Sequence, residues 1–170
     1  MEGPAGRLAM GLDPGVRVDR NGDQALAEVL AEFAHTLGTD FSVQKILDHL
    51  VRRVVDILPV TGAGVMVMGK GQELHFIAAS NAVVMRIEGL QNELGEGPCL
   101  EAYRTGVAVA VTDLDADSRF PRFSPRALAE GLAAVFTFPM RLDGERLGAL
   151  DLYRDTPGGL SGLSRKFFGG

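Results

Sequence analysis

Hydrophobic positions keep a helical period over the first third of the chain and a strand-like period afterwards. Leu26, Val29, Leu30, Phe33 and Leu37 recur at helical spacing, Asp23 precedes them as a capping residue, and Gly38 stands where a helix would end. A second stripe, Val43, Ile46, Leu47, Leu50, Val51, Val54, Val55 and Leu58, has charged residues on its opposite face and stops at Pro59. Both stripes predict amphipathic helices. Beyond Pro59, two short apolar runs at 65–68 and 74–79 flank Gly69-Lys70-Gly71-Gln72, the pattern of a β-hairpin. Residues 81–94 are helix-like but weakly patterned, and are expected to form a mobile, partly helical excursion.

Turn residues punctuate the remainder. Pro98 at a first helical position and Gly106 just past the end bracket a short helix over 98–105, followed by a strand over 107–111. Ser124 as cap, Pro125 and Gly131 bracket another short helix. Two long strands, 134–142 and 146–154, flank Asp143-Gly144, a dipeptide suited to the positive φ angles of a tight hairpin, and Pro139 predicts a bulge or an edge in the first of them.

This order of elements predicts an α+β fold around an antiparallel sheet. Runs such as Val65-Met66-Val67-Met68 and Ala134-Val135-Phe136 are apolar at successive positions, so both faces of the sheet should be covered. The long helices account for one face; the 81–94 excursion and the loops would roof the other, where a small-molecule pocket is expected. Residues 1–22 mix Gly, Pro and charge and read as a flexible leader, 23–161 as the domain, and 162–170 as a short tail.

Composition narrows the setting. With 170 residues, 46% hydrophobic and 23% charged, one domain is the default. Lys and Arg total 17 against 22 for Asp and Glu, a net charge of −5 without a basic cluster, so direct nucleic-acid binding is not expected. The N-terminus has no basic segment leading into an apolar one, and no apolar run approaches the roughly 18 residues of a membrane span, so neither secretion nor membrane association is expected. A single cysteine, Cys99, excludes an internal disulfide and an all-cysteine metal site, and fits a reducing, cytoplasmic compartment.

Several separated motifs agree in order and spacing: Leu94-Gly95-Glu96-Gly97-Pro98-Cys99-Leu100-Glu101-Ala102, Val111-Thr112-Asp113-Leu114, Arg119-Phe120-Pro121-Arg122-Phe123, Phe138-Pro139-Met140-Arg141-Leu142 and Gly148-Ala149-Leu150-Asp151-Leu152-Tyr153. Together they resemble the GAF domain of bacterial GAF–ANTAR regulators, from about Asp23 to Ser161. The resemblance implies a PAS-related, six-stranded antiparallel sheet with helices packed on one face and loops and short helices roofing the other. It also implies a sensory or regulatory role and a homodimer formed through terminal helices. In such regulators a three-helix RNA-binding ANTAR domain follows and carries transcription antitermination. Here a short tail follows instead, so RNA binding is expected to belong to a longer form or a partner.

Cys99 is the sharpest candidate: at the start of a short helix, unpaired N–H groups and the helix dipole would stabilise a thiolate, whereas a buried, structural cysteine is the plainer alternative. Met66, Met68, His75, Phe76, Cys99, Tyr103, Phe136, Phe138, Asp151 and Tyr153 are the candidate lining of a ligand pocket, although strand alternation alone does not say which face each joins. No catalytic residue, metal site or required cofactor is expected, since no histidine has a second histidine or cysteine at ligand spacing and no paired carboxylates or nucleotide loop are visible. Arg119, Arg122 and Arg126 read as solvated loop charges. Three functions compete: a non-enzymatic sensor of a small ligand or redox state, a dimerisation scaffold without a ligand, and a GAF-fold reductase resembling the free methionine sulfoxide reductases. Those enzymes pair a catalytic cysteine with resolving cysteines, which a single Cys99 does not supply.

Overall fold

The stripe that starts at Val43 forms helix α1 (Val43–Ile57) and buries Ile46, Leu47, Leu50, Val51 and Val54 against one face of a sheet. In this computed structural model the structure describes residues 8–10, 43–69, 71 and 73–160. The expected helix carrying Leu26, Leu30 and Phe33 and the 162–170 tail lie outside the described residues. The strands are β1 (Leu8–Met10), β2 (Gly62–Met68), β3 (Leu74–Ala79), β4 (Val109–Val111), β5 (Ala134–Leu142) and β6 (Glu145–Arg154). They form a six-stranded antiparallel sheet in the order β1-β5-β6-β2-β3, with β4 pairing β5 beside β1. With helices on both faces this is the α+β, GAF-type fold that the resemblance implied.

Strand alternation sorts the side chains into two cores. Ala63, Val65 and Val67 of β2, Ala134, Phe136, Phe138 and Met140 of β5, and Leu150 and Leu152 of β6 face α1. Met66, Val135, Thr137, Ala149, Asp151 and Tyr153 occupy the intervening positions, on the other face. That face lies under helices α2 (Ala82–Leu94), α3 (Pro98–Thr105) and α4 (Phe123–Ala129).

Three expectations change. Residues 81–94 are a regular capped helix rather than an excursion: the Asn81 side chain accepts the Val84 N–H at 2.9 Å, and Gly95 closes the helix in the left-handed region at φ 62°. Its apolar pattern is weak because its buried face, Val84, Ile87, Glu88 and Gln91, includes two polar residues at core positions. Helix α4 begins ahead of the expected Ser124 cap, because Glu96 Oε1 accepts the N–H groups of Arg122 and Phe123 at 2.7 and 2.9 Å. Leu8–Met10, expected within a leader, pair with Met140–Leu142 of β5 as an edge strand.

Other local readings agree with the structure. Asp143 and Gly144 take φ 52° and 79°, as a tight hairpin turn requires. Pro139 falls between the stretch of β5 paired with β4 and the stretch paired with β1, next to a register shift at Met140/Arg141. On that side there is no ladder for its missing N–H to interrupt.

Candidate functional site

The roofed face of the sheet carries a polar cluster that no packing requirement explains. Asp151 sits at the middle of β6, opposite Gly64 of β2 on one side and Thr137 of β5 on the other. Helix α2 delivers Glu88 and Gln91 onto this spot, and the first turn of α3 delivers Cys99. Glu88, Gln91, Cys99, Thr137, Asp151 and Tyr153 are all buried. Two glycines make the space. A Cβ on Gly64 would lie 2.2 Å from Glu88 Oε1, and one on Gly97, whose φ of +153° already disfavours a side chain, would lie 2.3 Å from Gln91 Oε1.

A hydrogen-bond chain orders the cluster. The Cys99 N–H donates to Gln91 Oε1 at 2.9 Å, so Gln91 serves one of the unpaired N–H groups at the start of α3. Gln91 Nε2 donates to Tyr153 Oη at 3.3 Å, and the Tyr153 hydroxyl donates to Glu88 Oε1 at 2.8 Å. The Thr137 hydroxyl donates to Asp151 Oδ1 at 2.5 Å. Each carboxyl therefore has one oxygen held by a hydroxyl. The other oxygens, Glu88 Oε2 and Asp151 Oδ2, are buried without a hydrogen-bond donor.

Burial, and then the neighbouring Asp151 charge, push the Glu88 carboxyl well above the usual carboxylate range. Burial also raises Asp151, but the polar side chains around it, Glu88 first and then Thr137, Cys99 and Gln91, act in the opposite direction, so Asp151 is the better seat for negative charge and Glu88 for a proton. The Cys99 thiol is pushed well above its ordinary value, first by burial and then by the charges of Asp151 and Glu88. These outweigh the helix-start effect expected to stabilise a thiolate, and the cysteine is buried. Tyr153 is raised in the same way, by burial first and then by Asp151 and Glu88.

The structure brings six of the ten sequence candidates to this face: Met66, Met68, Cys99 and Tyr103 pack together, with Cys99 Sγ 4.0 Å from Met66 Sδ, and Asp151 and Tyr153 lie alongside. Phe136 and Phe138 do not join, because strand alternation turns both toward α1. His75 is exposed on β3. Phe76 pairs with Val67 in the β2–β3 ladder, and its side chain lies outside what is described. Glu88, Gln91 and Thr137 were not among the candidates; two polar residues on the buried side of an otherwise apolar helix were the available signal. A groove of about 310 Å³ runs along the outer side of α2, where Arg86 and Glu130 pair at 2.8 Å. Of the loop arginines, Arg119 pairs with Asp117 at 2.6 Å and Arg122 donates to the Leu94 carbonyl at 3.2 Å.

Comparison with known proteins fits this architecture. A family model described as the GAF domain matches residues 42–169, most of the chain. The chain belongs to the GAF domain family. Solved structures similar to this GAF domain include the A. aeolicus nlh2 GAF domain in an inactive state, with 16% identity and TM-score 0.58, covering 86% of this chain and 89% of that one. Another is the N-acylhomoserine lactone-dependent LuxR family transcription factor CepR2 from Burkholderia cenocepacia, with 13% identity and TM-score 0.61 over 86% of this chain and 87% of that one. A third is the free methionine-R-sulfoxide reductase of Neisseria meningitidis in complex with its substrate, with 16% identity and TM-score 0.57 over 90% and 86%. Identities this low speak for the fold alone. No curated protein matches the sequence. Among the described residues, no helix of this GAF domain is long and apolar enough to cross a membrane.

Proposed function

We propose that this GAF domain is a non-enzymatic sensory module whose input is a small ligand or redox change at the cluster beneath α2 and α3. Its output would pass through a helical homodimer interface to transcription control, in the manner of antitermination regulators, inside the cytoplasm. The observation that carries this reading is the pair of donorless buried oxygens, Glu88 Oε2 and Asp151 Oδ2, beside a buried thiol. A core built only for stability gains little from such a group, because a buried polar atom left without a partner costs about 1–3 kcal/mol. Helices α2 and α3 both contribute to the cluster, so a change in its occupancy alters their seating on the sheet. Thermal-shift screening of metabolites and oxidants against the wild type and Asp151→Asn tests the reading. The expected outcome is a ligand or oxidant that raises or lowers the midpoint of the wild type and not of the variant. If the wild-type midpoint responds to nothing, the ligand-free scaffold takes its place.

The reductase reading has one observation in its favour, a cysteine next to two carboxyls, and the similar Neisseria structure is described as a reductase. Against it stand a thiol held protonated and the lack of a second cysteine for resolution. Turnover of free methionine sulfoxide with a dithiol reductant, lost in Cys99→Ser, would establish it.

A further inference from the structure

We propose that Glu88, Cys99 and Asp151 form a binding site for one thiophilic divalent metal ion of the Zn2+ class. One carboxylate oxygen of Glu88, Sγ of Cys99 and one carboxylate oxygen of Asp151 lie within 4.8 Å of one another, and all three residues are buried. Bonds of about 2.0–2.3 Å to a four-coordinate ion place ligand atoms roughly 3.6 Å apart, so the three side chains reach bonding distance by closing in about an ångström.

The hydrogen bonding is of the kind that backs metal ligands. Tyr153 holds Glu88 Oε1 and Thr137 holds Asp151 Oδ1, which leaves Oε2 and Oδ2 as the two oxygens without a hydrogen-bond partner. Hydroxyls in these positions fix the orientation of a ligating carboxylate and leave its second oxygen for the ion. Gln91 plays the same part for the cysteine: it takes the Cys99 N–H at 2.9 Å and so sets the start of α3 that aims the thiol.

Donor chemistry selects the ion. A hard cation such as Mg2+ or Ca2+ wants six or more oxygens, which three ligands including a sulfur do not offer. One thiolate and two carboxylates, formed as the ion displaces the protons that burial keeps on Cys99 and Glu88, suit Zn2+ or a neighbouring first-row ion. Met66 Sδ, 4.0 Å from Cys99 Sγ, is within reach of the fourth position, which an exogenous molecule could also take.

The inference rests on the cluster being the sensing site, and names a class of input for it. The test uses the full chain produced in cells grown with Co2+, an ion that substitutes for Zn2+ and reports thiolate coordination by a near-ultraviolet charge-transfer band. Because Cys99 is the only cysteine in the sequence, that band can arise from no other residue of the chain. The expected result is the band together with one metal per chain by elemental analysis. Cys99→Ser should abolish the band, and Glu88→Gln and Asp151→Asn should each lower metal content about tenfold or more. Wild-type protein without the band overturns the proposal, whatever the variants do, as does metal content unchanged across all three variants. The two readings separate in one further measurement. If the metal fails but a chelated sample still responds to a small molecule through Asp151, sensing stands without the ion; if the metal binds and the chain answers no ligand or oxidant, the ion is structural and the sensing reading falls.

Discussion

Glu88 and Gly64 depend on each other. The glycine provides the space that the carboxyl occupies, since a Cβ there would lie 2.2 Å from Oε1, 2.7 Å from Cδ and 2.9 Å from Cγ. Gly64→Ala should therefore cost about 2 kcal/mol by overpacking. The cost should shrink in a Glu88→Ala background, where the side chain is gone, and urea denaturation of the two single variants and the double reads that coupling. Costs that simply add would mean the carboxyl moves aside freely. Protonation follows from the same burial. Glu88 is raised in the folded state, so the folded chain holds a proton that the unfolded chain releases above about pH 4.3. Its contribution to stability is complete below that pH and is lost as pH rises through the folded value. Metal-free protein in chelator should show a urea midpoint that declines as pH is raised from 5 toward the folded value, and Glu88→Gln should flatten the decline. Asp117 and Glu130 are lowered by Arg119 and Arg86 and work in the opposite direction, but at half-buried and exposed surface sites where such pairs contribute little. Cys99 should react with iodoacetamide in the folded protein about tenfold or more slowly than in urea at the same pH, because its thiol is both covered and held protonated.

At the scale of elements, legibility in the sequence followed how fully a segment's partners lie within it. Helix α1 was readable because its stripe answers to one apolar sheet face, and the β5–β6 hairpin because Asp143 and Gly144 carry the turn. Helix α3 was readable to the residue, since Pro98 and Gly106 act locally. What failed depends on distant groups. The start of α4 is set by Glu96, 26 residues away from Arg122 in sequence. The partners of Leu8–Met10 are at 140–142. Helix α2 read as irregular because Glu88 and Gln91 break its apolar face, and their partners, Tyr153 and Cys99, come from β6 and α3. The side chains that β6 and α3 bring to the candidate site, Asp151, Tyr153, Cys99 and Tyr103, were therefore visible, and the polar pair that α2 brings, Glu88 and Gln91, was not. One local device in α2 is testable alone: Asn81→Ala removes the side-chain acceptor of the Val84 N–H and should cost about 1 kcal/mol. Because α2 carries Glu88 and Gln91, the same variant should speed amide exchange through the first turn without dispersing the core under α1, and uniform loss of protection would contradict this division into two cores.

For the molecule as a whole, the question is where a signal from the cluster could leave. Helix α1 buries Ile46, Leu47, Leu50, Val51 and Val54 in the sheet core, so its apolar stripe is already satisfied within the chain. The stripe of Leu26, Val29, Leu30, Phe33 and Leu37 is a second one, read from the sequence and lying outside the described residues, and it is the natural candidate for a helix shared between two copies. If so, Leu30→Glu should place a charge in that interface and yield a monomer with unchanged far-ultraviolet dichroism, while Val51→Glu should unfold the chain, because Val51 is fully buried against the sheet. Sedimentation velocity at micromolar concentration distinguishes the cases: a wild type that is already monomeric rules out this dimer. A wild-type dimer whose dissociation constant shifts when the Glu88–Cys99–Asp151 cluster is occupied, and does not shift in Asp151→Asn, ties the two ends of the molecule together, since an input can move an equilibrium only by binding its two states unequally.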